Sequence, residues 1–257
     1  MERYICIHGH FYQPPRENPW LEVIEPQDGA RPHHDWNERI TGECYAANAA
    51  SRILDHQGFI ERIVNNYARI SFDFGPTLLS WLESHAPEVY EAIRDADRES
   101  RRRFSGHGSA MAQAYSHMIL PLATKRDKWT QVRWGIRDFM HRFGRVPEGM
   151  WLPETAVDLE TLGILADQGI RFTVLAPRQA WRVRDLQGGQ WQDVSGQRID
   201  PTTAYSIRLP SGRTIAAFFY YGPIAQAVAF ENLLRNGEAL AHRLQEILFA
   251  GRPWPQL

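Results

Sequence analysis

One carboxylate in the sequence has surroundings that favour covalent chemistry. Glu154 follows a short apolar run that begins at Gly149, and Pro153 fixes the backbone just before it. Trp151, in the same run, offers a flat apolar face for the C–H groups of a sugar ring, while the carboxylate reaches the anomeric carbon. A structural interpretation stays open, because Glu154 and Thr155 precede a predicted helix and acidic residues are favoured at helix starts.

Histidines follow the first apolar run of the chain. His8 and His10 alternate at its end, so one can face a site while the other packs below it. A metal site needs at least three ligands, and Asp73 and His107 are the residues that would complete one. No His-x-x-x-His or His-Glu-x-x-His spacing supports such a site. The competing interpretation is that these histidines are structural and make local hydrogen bonds. His107 and Gln113 are also candidates for binding substrate hydroxyls or for satisfying loop backbone groups.

Predicted strands and helices alternate along the chain, which is the pattern of parallel βαβ units. The predicted strands cover residues 4–8, 68–74, 149–154, 172–176 and 214–221. The predicted helices cover residues 36–56, a segment starting at Pro76, 87–103, 125–143, 157–168 and 238–249. Residues 16–35 and 104–124 are predicted to be irregular, and residues 178–212 to be an insertion. Because the carboxyl ends of parallel strands share one edge, the candidate residues are expected to meet there.

Composition limits the class of protein. The chain has 257 residues, of which 43% are hydrophobic and 12% aromatic, so intrinsic disorder is excluded and one domain over 1–257 is expected. A formal charge of −1 gives no general attraction to nucleic acid or to anionic membranes. Two cysteines do not form a disulfide framework. No signal peptide or membrane-spanning run is evident, which predicts a cytoplasmic protein without membrane partners.

Three segments together resemble those of a known family, glycoside hydrolase family 57, which groups amylases, glucanotransferases and branching enzymes. His10-Phe-Tyr-Gln13-Pro14 is similar to its first conserved region, and Phe104 to Leu122 is similar in position to its second. Trp151-Leu-Pro-Glu154-Thr-Ala-Val-Asp158 resembles the third region and is the most specific match. The resemblance covers nearly the whole chain. It is strongest with long members that open with His-Gly-His-Phe-Tyr-Gln-Pro-Pro, in which much further chain follows the barrel.

The resemblance implies a fold and a chemistry. The fold is α/β, an incomplete, TIM-like (β/α)7 barrel that stops before its last strand or strands. The chemistry is a retaining reaction on α-glucans without a metal or other cofactor, with Glu154 at the nucleophile position and His10 and Trp151 lining the subsite beside the bond that is cut. The other residues predicted to bind substrate are His8, Gln13, Asp73 and His107.

The sequence departs from the family at the general acid. A retaining reaction needs a second carboxyl group about 5–5.5 Å from the first. In the family this is an Asp in a later segment of the type Asp-x-Glu-x-Phe/Tyr-Gly-His, and that segment is missing here. Asp200, in the predicted insertion, is a weak substitute. We therefore expect little or no glucan hydrolysis from the 257-residue chain alone, either as a fragment of a longer enzyme or as a relative that has lost hydrolysis.

Two alternatives stay open. The first is a metal-dependent carbohydrate deacetylase that uses His8 or His10 with Asp73 and His107, for which stoichiometric zinc is the discriminating observation. The second is a non-catalytic paralogue whose aromatic pocket only binds glucan, for which binding without turnover is the discriminating observation. Glucan linkage and length, hydrolysis against transfer, and oligomeric state are not predicted.

Overall fold

The computed structural model describes residues 4–249, which form two compact units. One unit comprises residues 7–153. The other comprises the residues up to Cys6 together with the chain from Glu154 onward. The single domain over 1–257 stays a prediction. No helix within the described residues is long and apolar enough to cross a membrane, and the cytoplasmic location also stays a prediction.

Strands and helices alternate as the sequence predicts. Residues 4–249 contain the strands β1 (His8–Phe11), β2 (Ser51–Leu54), β3 (Ile60–Val64), β4 (Ser71–Phe74), β5 (Ala110–Gln113), β6 (Met150–Trp151), β7 (Phe172–Leu175), β8 (Arg182–Val183), β9 (Gln192–Asp193), β10 (Tyr205–Arg208) and β11 (Thr214–Phe219). They also contain the α-helices α1 (Trp36–Ile40), α2 (Ala46–Ala49), α3 (Pro76–His85), α4 (Pro87–Arg103), α5 (Lys125–Phe143), α6 (Leu159–Asp167), α7 (Gly222–Phe230) and α8 (Gly237–Phe249).

A four-stranded parallel sheet organises the 7–153 unit, in the order β1-β4-β5-β6. In the other unit, β11 lies between β7, to which it is parallel, and β10, to which it is antiparallel. Two antiparallel pairs, β2-β3 and β8-β9, complete the set described. The α/β class with a parallel sheet is confirmed. Within residues 4–249 the strands do not close into a barrel.

Aromatic rings fill the core beneath β1 and β4. Phe11 stacks on Phe74 with ring centroids 4.7 Å apart, and the fully buried Tyr67 meets both rings edge-on. On helices α3, α4 and α5, buried Leu82, Ile93 and Ile136 recur at helical spacing with other apolar residues. This apolar packing holds the strand ends that carry the candidate residues.

The first strand begins later than predicted. Residues 4–8 were expected to form it, but β1 spans His8–Phe11. The register explains the shift, because His8 lies opposite Ser71 and Phe11 opposite Phe74. Tyr4 is 80% exposed, and strand pairing begins at His8, although the carbonyl of Ile7 accepts from the amide of Ser71 at 2.9 Å. The prediction was wrong because an apolar run identified the neighbourhood of the strand but not its pairing.

Two further segments differ from their predictions. Residues 104–124 were expected to be irregular, yet β5 (Ala110–Gln113) lies among them and is buried throughout. Its small residues and flanking glycine and serine hide the strand signal. Residues 36–56 were predicted to be helical, but α2 ends at Ala49 and β2 follows. In contrast, the bounds of α4 and α5 match those predicted, and Gly144 ends α5 in the left-handed conformation.

Candidate functional site

A buried carboxylate joins the two histidines of β1. Asp73, on β4, is fully buried and lies in register with His10. Its Oδ1 is 3.0 Å from Nε2 of His8, and its Oδ2 is 2.8 Å from Nδ1 of His10. The remaining ring nitrogen of His8, Nδ1, is 3.0 Å from the hydroxyl of Ser71. Both histidines therefore turn toward the same carboxylate, because residues two apart in a strand lie on the same face. The expectation that one faces a site while the other packs below it is wrong.

Aromatic rings surround this pair. Trp151, at the end of β6, stacks on both His8 and His10 with ring centroids 5.0 Å apart in each case. His117 brings its Nε2 within 3.1 Å of Nε2 of His10, and Tyr12 stacks on His117 at 3.7 Å. The rings thus form one continuous cluster at the carboxyl ends of the parallel strands, where sequence reasoning expected the candidates to meet.

Gln13 is fixed from both sides of its amide. Its Nε2 donates to the hydroxyl of Tyr45 at 3.3 Å, and its Oε1 accepts from Arg16 at 2.5 Å. Burial raises the pKa of Tyr45 to about 12, so the phenol stays protonated and keeps its role as hydrogen-bond partner. Gln13 is thus a rigid polar group two residues beyond β1.

Two side chains at the ends of β5 and β6 hold unsatisfied polar atoms. Gln113 lies in register with Trp151 and is 2% exposed. Among the described residues, neither polar atom of the Gln113 amide has a hydrogen-bond partner, and neither does the indole N–H of Trp151. Unsatisfied buried polar groups are rare and often accompany a functional site.

His107 lies apart from this cluster. It precedes β5, and its Nδ1 is 2.8 Å from Glu148, which precedes β6. Both residues therefore lie at the amino ends of parallel strands, whereas His10, Asp73 and Trp151 lie toward the carboxyl ends. His8 is the first residue of β1 and joins the cluster through Asp73 and Trp151. Within residues 4–249 no group of three or more His, Cys, Asp or Glu is arranged to hold a metal ion. The ligand set of the deacetylase alternative is not assembled in the described chain.

Glu154 occupies an unusual stretch of backbone in the second unit. Its φ is 56° and that of Thr155 is 55°, so two consecutive non-glycine residues adopt the left-handed conformation. Such backbone is costly, above all for β-branched threonine, and it is concentrated at functional sites. The Glu154 side chain is exposed, and the N-cap of α6 is Asp158, whose Oδ1 accepts from the amide of Thr161 at 2.7 Å. Helix capping therefore does not explain why an acidic residue lies at position 154.

Comparison with known proteins identifies the class. The sequence profile of "Glycosyl hydrolase family 57" matches residues 7–247. The chain is also 28% identical over 134 residues to Alpha-amylase 1 of Dictyoglomus thermophilum, a match that covers 51% of this chain and 19% of that protein. The protein is thus one of the glycosyl hydrolases, and the extent of the profile match shows that it belongs to family 57.

Solved structures share the fold. The 4-alpha-glucanotransferase from Thermococcus litoralis aligns with a TM-score of 0.62 at 16% identity, covering 98% of this chain and 32% of that one. An exo-type maltose-forming amylase from Pyrococcus sp. ST04 aligns with a TM-score of 0.57 at 16% identity, covering 89% and 36%. The chain therefore spans about a fifth of the curated relative and about a third of these structures.

Sequence reasoning missed His117. It lies in the segment that was predicted to be irregular, and its spacing from β1 gives no sign that the two meet. A signal was present, however, because a stretch without charged side chains carries polar residues at alternate positions, namely Gln113, Tyr115 and His117. Once that stretch is known to follow a buried parallel strand, its polar residues are expected at the carboxyl edge of the sheet.

Proposed function

We propose that this chain is the nucleophile-bearing part of a retaining glycoside hydrolase or glucanotransferase that acts on α-glucans. The observation that carries the proposal is Glu154, an exposed carboxylate in left-handed backbone three residues beyond Trp151, with no capping role. Membership of family 57 supports the class of reaction, and the names of the related amylases and glucanotransferase support the class of substrate.

The proposed step is nucleophilic substitution at the anomeric carbon of the sugar. A carboxylate oxygen of Glu154 forms a bond to that carbon as the bond to the leaving oxygen breaks, which gives a covalent glycosyl-enzyme. Water or the hydroxyl of another sugar then displaces Glu154. The two inversions together retain the configuration of the sugar.

The histidine and aromatic cluster is proposed to bind sugar. Trp151 offers an apolar ring face, and Gln13 keeps one amide hydrogen and one lone pair beyond its contacts with Tyr45 and Arg16. His8 and His10 are proposed to line the site with rings that Asp73 holds in place. Fixed polar groups beside an apolar surface bind carbohydrate well, because little side-chain entropy is lost on binding.

Protonation of the leaving oxygen requires a second carboxyl group. The Asp-x-Glu segment that supplies it in the family is missing from these 257 residues. A substrate whose leaving group needs no proton isolates the step assigned to Glu154. In α-maltosyl fluoride the C–F bond breaks and fluoride ion departs, so attack by Glu154 requires no acid.

The test is a fluoride-release assay with the purified chain and α-maltosyl fluoride. We expect a burst approaching one equivalent of fluoride per protein molecule, followed by slow release. Glu154→Gln is expected to abolish the burst, because an amide does not displace fluoride. The matched control is Glu160→Gln, which alters another exposed carboxylate six residues away in the first turn of α6. A burst that survives Glu154→Gln contradicts the proposal.

A further inference from the structure

His117 lies in backbone that needs an explanation. Its φ is 52°, in the left-handed region that few non-glycine residues adopt. Its amide donates to the carbonyl of Ala114 at 3.1 Å, so a tight turn directly after β5 turns the chain back. The side chain then meets two residues from the other end of the unit, His10 and Tyr12. Strained backbone persists where surrounding contacts hold it, and here those contacts are made by the imidazole.

The hydrogens of this cluster follow from the chemistry of the partners. An ionised carboxylate only accepts, so the atoms that face Asp73, which are Nε2 of His8 and Nδ1 of His10, both carry hydrogen. A neutral imidazole has one N–H, so Nδ1 of His8 accepts from the hydroxyl of Ser71. The two histidines of β1 are therefore held as opposite tautomers by one carboxylate.

The same rule defines the role of His117. With the hydrogen of His10 on Nδ1, its Nε2 presents a lone pair to Nε2 of His117 at 3.1 Å. Two lone pairs at that distance repel, so Nε2 of His117 carries the hydrogen and donates it. Both nitrogens of His10 are then engaged, one by Asp73 and the other by His117. The ring faces of His10 stay in contact with the aromatic cluster, including Trp151.

We propose that His117 is a positioning residue that, with the buried carboxylate of Asp73, holds the ring of His10 in one orientation and as the Nδ1–H tautomer. Stacking of Tyr12 on His117 at 3.7 Å restricts the donor itself. The consequence for glucan binding rests on the proposed function, whereas the tautomer assignment rests only on the contacts within the 7–153 unit.

Nitrogen-15 NMR of histidine-labelled protein at mildly alkaline pH tests the assignment, because long-range couplings identify the protonated nitrogen of each ring. We expect Nε2–H for His8 and Nδ1–H for His10, with resonances assigned by their loss in His8→Gln and His10→Gln. Nε2–H on His10, or hydrogen on both of its nitrogens, overturns the proposal. Asp73→Asn replaces one accepting oxygen with a donor, so one of the two histidines must change tautomer.

Three substitutions at position 117 distinguish the effect of the N–H donor from the effect of the aromatic ring. His117→Phe keeps a ring against Tyr12 but removes the donor. We expect the nitrogen-15 resonance of the unprotonated Nε2 of His10 to move downfield as it loses its hydrogen bond, while Asp73 keeps the hydrogen on Nδ1. His117→Gln retains an N–H at the end of a chain of similar length, and we expect the Nε2 resonance of His10 to return toward its wild-type position. His117→Ala removes both. Unchanged His10 resonances in His117→Phe overturn the role assigned to His117.

Sugar binding provides the readout that depends on the proposed function. We expect the dissociation constant for a maltooligosaccharide to rise roughly tenfold in His117→Phe and to recover in His117→Gln. If the His10 resonances respond as expected but glucan does not bind wild-type protein, the proposed function fails while the positioning role stands. If glucan binds and His117→Phe leaves both the His10 resonances and the affinity unchanged, the positioning role fails alone.

Discussion

At the residue scale, the proposed chemistry depends on how the chain positions a few polar groups. The cost of burying Asp73 is compensated because both of its carboxylate oxygens accept hydrogen bonds from imidazoles, one of which is also bonded to Ser71. These hydrogen bonds fix the two imidazole rings, which would otherwise rotate. The side chain of Glu154 is exposed instead, and the conformational energy cost at this residue lies in its left-handed backbone. Such backbone is expected to persist only where function requires the side chain.

Relief of that backbone gives a prediction about stability. Glu154→Gly removes the Cβ that disfavours φ of 56°, so we expect the free energy of unfolding to rise by about 1 kcal/mol. Glu154→Ala keeps the Cβ and is expected to show no such gain. Urea denaturation of the two variants beside wild type measures the difference. Equal stability of Glu154→Gly and Glu154→Ala would mean that the residue is not strained.

Much of the site could be predicted at this scale. His8, His10, Asp73 and Trp151 follow apolar runs, and the topology of parallel strands brings such residues to one edge. Residue type alone does not distinguish His107 from these site residues. Whether a residue near β5 lies at the amino or the carboxyl end of that strand depends on where the strand begins, which the sequence did not show. His117 was missed for the same reason, since it follows that hidden strand.

At the element scale, β5 and α5 show how closely the layers pack. A Cβ added at Gly135, within α5, would lie 2.0 Å from the carbonyl oxygen of Gln113. The helix can therefore approach the end of β5 only where it has no side chain. Gln113 lies in register with Trp151, so this close contact lies next to the ring cluster.

This contact predicts opposite effects for two glycine substitutions. Gly135→Ala is expected to lower the free energy of unfolding by about 1–3 kcal/mol, because the methyl group meets backbone that cannot move aside. Gly163, within α6, has open space around the added Cβ, so Gly163→Ala is expected to raise stability by roughly 1 kcal/mol through helix propensity. Thermal or urea denaturation of both variants is the measurement. A stabilising Gly135→Ala would contradict the packing described here.

The start of α1 predicts a dependence on pH. Burial would raise the pKa of Asp35, but hydrogen bonds from His34 and from the amides of Asn37 and Glu38 outweigh it and hold the pKa below its ordinary value. Ionised Asp35 therefore stabilises the fold above the ordinary carboxyl pKa, and this contribution disappears as the pH falls through the lowered pKa.

Asp35→Asn is the matched variant, because asparagine also caps helices but does not ionise. We expect wild type to be more stable than Asp35→Asn at neutral pH and to lose that advantage in strong acid. Urea denaturation at both pH values measures it. An advantage of the same size at both would show that ionisation of Asp35 does not contribute.

Predictability at the element scale differed between helices and strands. The bounds of α4 and α5 could be predicted because proline, the left-handed Gly144 and helical periodicity mark them locally. β1 and β5 could not, because a strand is defined by its partners, and neither His8 nor Ala110 has a local feature that specifies pairing.

At the scale of the whole molecule, the chain contains one candidate nucleophile and lacks the segment that supplies the general acid in its family. We predict that the purified 257-residue chain does not hydrolyse maltooligosaccharides, because protonation of their leaving oxygen has no assigned donor. Reducing-end assays measure this directly. Robust hydrolysis that is abolished by Glu154→Gln would show that another residue of this chain, such as Asp200, acts as the acid.

The central claim, that Glu154 is the nucleophile, is tested most directly by mass spectrometry of the chain after incubation with α-maltosyl fluoride. We predict a mass increase of one maltosyl group per protein molecule, which peptide fragmentation locates on Glu154 and which Glu154→Gln does not show. A maltosyl group on any other residue, or an unmodified chain that nevertheless releases fluoride in a burst, would contradict it.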